Sequence, residues 1–182
     1  MTTTNWNIDA AHSGIHFSIR HMVVSKVRGR FAKYTGTIHL DEGDFTRSVV
    51  VVMIDAASLD TGVPDRDGHL RGPDFFDVEK FQELRFRSRR IEKVTDAKYR
   101  VTGDLTIRDV TREVTLDVEY GGQAKDPRGD ERTGFVARAS IDRKDFGLQW
   151  NQLLEAGGAI VGDRVDIELD IEAVKSAAVQ AA

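Results

Sequence analysis

Three histidines, His12, His16 and His21, stand close together near the start of the chain, and histidines at short spacing are candidate metal ligands. Their parity opposes that chemistry. His16 and His21 are five apart, so on a continuous strand they project to opposite faces, and a site using all three needs a bend. The stretch Asp9-Ala10-Ala11-His12-Ser13 has instead the residue types of a hydrogen-bonded lead-in to the first strand, with its polar groups buried and satisfied. A denser ionisable cluster follows, Asp65, Arg66, Asp67, His69, Asp74 and Asp77. A histidine among carboxylates can work as acid and base. The same groups can serve as helix caps and ion pairs, and Asp74 just after Pro73 suits a first helical turn. No nucleophile elbow, phosphate-binding glycine loop or dinucleotide fingerprint occurs. There is no cysteine, which excludes disulfides and thiolate chemistry. The reading is of no catalytic residue, no metal and no cofactor.

The elements that hold these residues read as strands. Ile15, Phe17 and Ile19 alternate with His16, Ser18 and Arg20, and the same period of two recurs over Gly36–Leu40, Val50–Ile54, Leu84–Ser88, Tyr99–Ile107, Val114–Tyr120, Phe135–Ile141 and Val165–Ile171. Each run has one wet face, the pattern of an antiparallel sheet. Glycine- and proline-bearing turns at Asp41-Glu42-Gly43, Gly121-Gly122, Pro127–Asp130 and Gly157-Gly158 separate them. Such a sheet must close or fold over to hide its apolar face, and an up-and-down barrel is the simplest closure, a sandwich the alternative.

Two segments break the period. Ser58–Phe81 carries Pro64 and Pro73, each able to open a helix, and the spacing of Asp74, Phe75, Phe76, Val78 and Phe81 suits a short amphipathic helix. This predicts a helical insertion over about 64–81 whose phenylalanines pack across a barrel mouth. Phe146–Gly162 is a long connection of apolar and small residues in which Trp150 could sit at the same mouth. Thr106–Arg112 reads as a tight turn with Asp109 at the bend, and 175–182 as a frayed tail. One domain over 1–182, with its core at about 5–174, accounts for the whole chain.

Bulk properties narrow the partners. A net charge of −4 gives no reason to expect nucleic acid or an anionic membrane as partner, and acidic residues balance local runs such as Arg85, Arg87, Arg89 and Arg90. The polar start of the chain lacks a signal-peptide core, and no apolar run reaches the roughly 20 residues of a membrane span, so the cytoplasm is expected. Open strand edges suggest a homodimer. The inward face is apolar, with small residues at Gly36, Gly103, Ala137 and Ala139 that leave room. Periodicity leaves a packed core and a ligand cavity equally open.

Six segments together resemble the YceI-like family of lipid-binding proteins: Asp9–Ser13 running into Ile15–His21, Ser58–Gly62, Arg66–Leu70, Asp74–Asp77, Gly103–Ile107, and Asp145–Leu148 with Val161–Asp163. The resemblance spans about residues 5–174. It implies an all-β, lipocalin-like antiparallel barrel, commonly dimeric, that holds a polyisoprenoid or isoprenoid-quinone chain in an apolar tunnel. The family's usual glycine before Val110 is replaced by Asp109, which tolerates a left-handed turn. The expected wall is Phe17, Ile19, Val52, Ile54, Phe86, Leu105, Ile107, Leu116, Phe135, Ala137, Ile167 and Leu169, with Phe75, Phe76 and Trp150 closing the mouth. Two rival functions remain: an enzyme acting on an isoprenoid diphosphate through Asp67, His69 and Asp77, and a structural or stress protein whose barrel is filled.

Overall fold

The computed structural model describes residues 2–154 and 159–177. Its strands are β1 (Thr3–Ile8), β2 (Gly14–His21), β3 (Ser25–Phe31), β4 (Tyr34–Asp41), β5 (Val49–Asp55), β6 (Leu59–Asp60), β7 (Glu83–Lys93), β8 (Lys98–Ile107), β9 (Val110–Lys125), β10 (Glu131–Asp142) and β11 (Val161–Lys175), with one helix, α1 (Pro64–Arg71). Eight strands close an antiparallel ring in the order β1-β4-β5-β7-β8-β9-β10-β11 and back to β1. All eight runs anticipated from alternation lie inside strands. The ring is not built from those eight, however. It closes through β1, which alternation did not reveal, while β2 continues the wall beside β11 and carries β3 and β6 outward.

The geometry of that closure explains the difference. Along one edge of β11, Val161–Asp170 pair with β2 and Ala173–Lys175 pair with β1. β1 and β2 are therefore one long strand broken at residues 9–13. There Asp9 accepts a hydrogen bond from the backbone N–H of Ala11 and caps a 3-10 turn. The neighbouring β3–β4 strand breaks at Ala32 and Lys33, and β5–β6 breaks at Ala56–Ser58. The breaks are stitched together: Ala32 N–H donates to the Ser58 carbonyl, Lys33 N–H to the Ser58 hydroxyl, and Asp55 N–H to the Lys33 carbonyl. Three adjacent strands bend along one line, which lets a single sheet wrap into a barrel and flare at one end.

The two ends are filled differently. At one, fully buried Trp6 packs with Ile38, Leu40 and Ala173, and with Phe45 from a 3-10 turn after β4. Phe45 in turn meets Tyr99 and Tyr120 at 5.4 and 5.1 Å. At the other end Ile15, Phe31, Leu59, Leu84, Phe146 and Leu148 form a second cluster, under α1 and the turns that follow it. Pro64 opens α1 as its position predicts. The helix stops at Gly72, and residues 73–80 are turns rather than the second amphipathic helix the spacing suggested. Asp77 adopts a left-handed conformation (φ 49°), which ends helical continuation there.

Other local expectations are refined. In the β8–β9 turn the left-handed residue is Arg108 (φ 57°), not Asp109. The Arg108 guanidinium lies 5.6 Å from the Phe81 ring, a tertiary contact that sequence spacing does not display. Lys175 belongs to β11 rather than to a frayed tail, while 178–182 and the Gly157-Gly158 turn lie outside the described residues. No helix among the described residues is long and apolar enough to cross a membrane.

An apolar cavity with a basic mouth as candidate functional site

The interior is not filled. A cavity of about 420 Å³ runs inside the barrel, within the size range of small-molecule sites, roughly 300–1,000 Å³. Every residue expected from the sequence as wall or mouth contributes to its lining. Phe17, Ile19, Val52, Phe86, Leu116, Phe135 and Ile167 sit in mid-strand on the inward face yet are only half-buried, because the space they look into is open. The small residues do not make this space. A Cβ on Gly103 would lie 2.6 Å from the Phe86 ring, and one on Gly36 would lie 2.4 Å from the Ile8 side chain. These glycines let large side chains lie flat against the wall, which keeps the lumen clear of them. Of the small inward residues, Ala137 borders the cavity.

One end of the cavity is closed by rings. His69 on α1 meets Phe75 at 5.1 Å and Trp150 at 4.6 Å, while Phe75 and Trp150 are 5.5 Å apart. Phe76 turns inward and packs edge-on to Phe31 at 5.8 Å. Phe81, expected with them, instead lies under Lys80 and Arg108 and does not border the cavity. The mouth thus combines the two segments that broke the strand period.

What holds the second segment in place is Arg143, a residue sequence reasoning missed. Only 2% exposed, it follows β10 and donates to four carbonyls, three closely (Leu148 at 2.6 Å, Gly162 at 2.7 Å and Trp150 at 2.9 Å) and Val161 more distantly at 3.4 Å. Asn151 adds two bonds to the backbone of Val161. The nearest carboxylate, Asp163, stands at 3.8 Å. Burial pushes the Arg143 pKa below its ordinary value, and Asp163 and Asp142 partly oppose the shift. Phe146–Gly162 did not mark Arg143, since a lone arginine at a strand end usually lies in solvent.

Apart from Tyr99, the ionisable side chains on the wall share one character. His16, Arg20, His21, Arg66, His69 and Arg143 border the cavity, and no aspartate or glutamate does among the described residues. The acidic members of the 65–77 cluster are engaged elsewhere. Asp67 is buried and accepts from both the backbone N–H and the hydroxyl of Thr61. His69 is hydrogen-bonded to Asp74 at 2.9 Å, and Arg66 to Thr61. Asp67, His69 and Asp77 are thus not joined into one hydrogen-bonded group.

Of the three histidines near the start of the chain, His16 and His21 both border the cavity, and His12 stands apart in the 3-10 turn between β1 and β2. His12 sits at the β1–β2 break, 2.8 Å from Asp9 and 3.9 Å from Glu172. These three could offer one ligand atom each to a cation. The Arg132 guanidinium already fills that role, at 2.9 Å from Asp9, 3.7 Å from Glu172 and 2.8 Å from Asp126. Its hydrogen bond, with that of His12, holds the Asp9 carboxyl down at about 2. Ser13 completes the network through the backbone of Glu172. It is the hydrogen-bonded segment expected, but it lies between two strands and His12 is exposed.

A closed antiparallel barrel around an apolar cavity, with a short helix across its mouth, defines a lipocalin-like barrel. A profile of the YceI-like domain matches residues 6–173, and the chain belongs to that family. UPF0312 protein SA2479 of Staphylococcus aureus strain N315 is 38% identical over 170 residues, covering 93% of this chain and 96% of its own length. Among solved structures, Burkholderia cenocepacia BcnA superposes with a TM-score of 0.80 at 25% identity, over 91% of this chain and 98% of that one. The Campylobacter jejuni YCEI protein is 30% identical with a TM-score of 0.71, over 87% and 91%. A polyisoprenoid binding domain from Saccharophagus degradans shares the fold, with a TM-score of 0.67 at 14% identity over 96% and 100%.

Proposed function

We propose that this protein is a carrier or store for a long isoprenoid lipid, a polyprenyl chain or isoprenoid quinone held within the barrel. The observation that carries the reading is the open lumen with its nearly all-apolar wall. Such a surface gains about 25 cal/mol for each Å² of apolar ligand it takes from water. A lumen lined from Phe45 and Tyr99 at one end to Phe75 and Trp150 at the other suits a chain, and the basic residues at the mouth suit a polar or anionic end left there. The same barrel in Saccharophagus degradans is a polyisoprenoid binding domain, which accords with the proposal at the level of fold. The expected wall residues, from Phe17 to Leu169, are the proposed ligand contacts, with Phe75, Phe76 and Trp150 as the gate.

The reading is of binding rather than catalysis. Asp67 and His69 are engaged with Thr61 and Asp74, so neither is held toward the other as an acid–base pair. A filled barrel requires no internal space, and the cavity speaks against it. We place the carrier in the cytoplasm, which cell fractionation tests. A homodimer would have the open β3 edge to use, where Lys26 and Arg28 oppose strand-on-strand pairing. Purifying the protein, denaturing it and analysing the extract by mass spectrometry tests the central claim. Stoichiometric isoprenoid is the expected result, and an extract without lipid from cells rich in isoprenoids overturns it.

A further inference from the structure

The rim of the cavity continues into an apolar surface with no partner in the fold. The β2–β3 hairpin turns at Met22-Val23-Val24, where the side chains are 42%, 68% and 84% exposed. Leu153 is 80% exposed. These four make up half of the eight large apolar side chains that the described chain leaves exposed. They are also neighbours. Met22 N–H donates to the Ile160 carbonyl, Ile160 N–H donates to the Gln152 carbonyl, and Leu153 bridges to Ala159. His21, Ile160 and Trp150, in the same three segments, border the cavity. The exposed patch and the mouth are therefore one continuous surface.

The hairpin is also a poor turn for its own sake. Met22 (φ 53°) and Val23 (φ 65°) both occupy the left-handed region. Two successive left-handed residues in a hairpin loop are best supplied by Asn and Gly, and a β-branched residue there is a conformational outlier. Local folding does not favour valine at this position.

Charge indicates what covers the surface. From residue 10 to residue 40 there are five Lys or Arg (Arg20, Lys26, Arg28, Arg30 and Lys33) and no Asp or Glu, within a chain of net charge −4. Asp60 offsets Arg30, Asp166 faces Lys26, and Lys144 engages Asp163 near the rim. Arg20 donates to the carbonyl of Val23, at the turn itself. An apolar tip ringed by basic groups fits a bilayer bearing anionic lipids, the tip entering the headgroup boundary and the cations staying among the phosphates.

We propose that the Met22–Val24 hairpin, with Leu153, docks the cavity mouth onto an anionic membrane surface, so that a lipid passes between bilayer and barrel without crossing water. The transfer role rests on the carrier reading above; the docking does not. The test is co-sedimentation of the purified full chain with phosphatidylglycerol or phosphatidylcholine vesicles. The wild type is expected to bind the first, and to bind it less as salt rises. Each basic group near an anionic surface adds about fivefold to partitioning. The pair Lys26→Gln/Arg28→Gln should therefore weaken binding to phosphatidylglycerol about 25-fold. The decisive variant is Met22→Asn/Val23→Gly, which suits the turn. It should fold at least as stably as the wild type and lose at least about tenfold in vesicle binding. A wild type that ignores anionic vesicles overturns the proposal. So does equal binding by the Asn-Gly variant, or a wild-type dimer that this variant converts to monomer, which would place a second copy on the tip. Lipid-loaded protein that ignores vesicles refutes the docking alone, and empty protein that binds them refutes the carrier reading alone.

Discussion

Replacing Arg143 by methionine should loosen the mouth and destabilise the whole domain. Methionine keeps much of the apolar stem and removes the guanidinium that joins Leu148, Trp150 and Gly162 at 2.6–2.9 Å. Each hydrogen bond lost leaves a carbonyl to find water, at about 1 kcal/mol apiece, so the loss sums to about 3 kcal/mol. Relief from burying a cation keeps it from rising further. For a domain of this size each kcal/mol lowers Tm by about 2–4 °C, so the expected fall is about 6–12 °C. The local consequence is more specific. Trp150 is released from His69 and Phe75, so acrylamide should reach one of the two tryptophans while fully buried Trp6 stays protected. Bound lipid should also dissociate faster. Arg143→Lys should recover less than half of the lost stability, because a compact ammonium cannot span three carbonyls in different directions. A Tm within about 2 °C of wild type, with Trp150 still protected, would refute the role given to Arg143.

Three further outcomes follow from the same geometry. Gly103→Ala places a methyl 2.5 Å from the Arg87 carbonyl and 2.6 Å from the Phe86 ring. It should cost about 1–3 kcal/mol by urea unfolding and, by tilting Phe86 into the lumen, lower the lipid recovered on extraction. Leu116→Glu puts a carboxylate on a wall that has none among the described residues. Water in the open cavity should keep the protein folded by circular dichroism, while extracted lipid falls at least about tenfold. The third concerns pH. Asp9 is held down at about 2 by Arg132 and His12, so its contribution is present above the ordinary value of 3.8 and is lost as pH falls toward about 2. Because the pair is partly exposed to solvent, that contribution is about 1 kcal/mol. Asp9→Asn should lower the urea midpoint at pH 7 and match wild type near pH 2; a gap that persists in acid would contradict the assignment.

Alternation by itself determined the sheet, because a strand with one wet face writes its burial at every second residue. It also determined the wall, since inward parity is a local property: Phe17, Leu105 and Ile167 face inward on any closure of these strands. The two interruptions, at 58–81 and 146–162, were legible as interruptions and supply the mouth. What alternation could not decide is which strands meet. β1 has only Trp6 and Ile8 as apolar residues on its inward side, too short a signal, and is recognised by its pairing with Ala173–Lys175. The amphipathic spacing of 74–81 was real but was overridden by turns whose hydrogen bonds run back to Gly72 and Arg71.

Whether the barrel was full or hollow was likewise beyond the sequence. Volume depends on where each side chain lies across the lumen, and Gly36 and Gly103, which read as gaps, are covered by Ile8 and Phe86. The open space arises because those large side chains lie flat along the wall. Arg143 is the sharpest case. Its type and position predict solvent, and only the return of β11 beside the Trp150 segment brings three carbonyls around it. Periodicity records what each residue faces along its own strand; contacts between segments far apart in sequence are set by closure, and it was closure that made the cavity and its mouth.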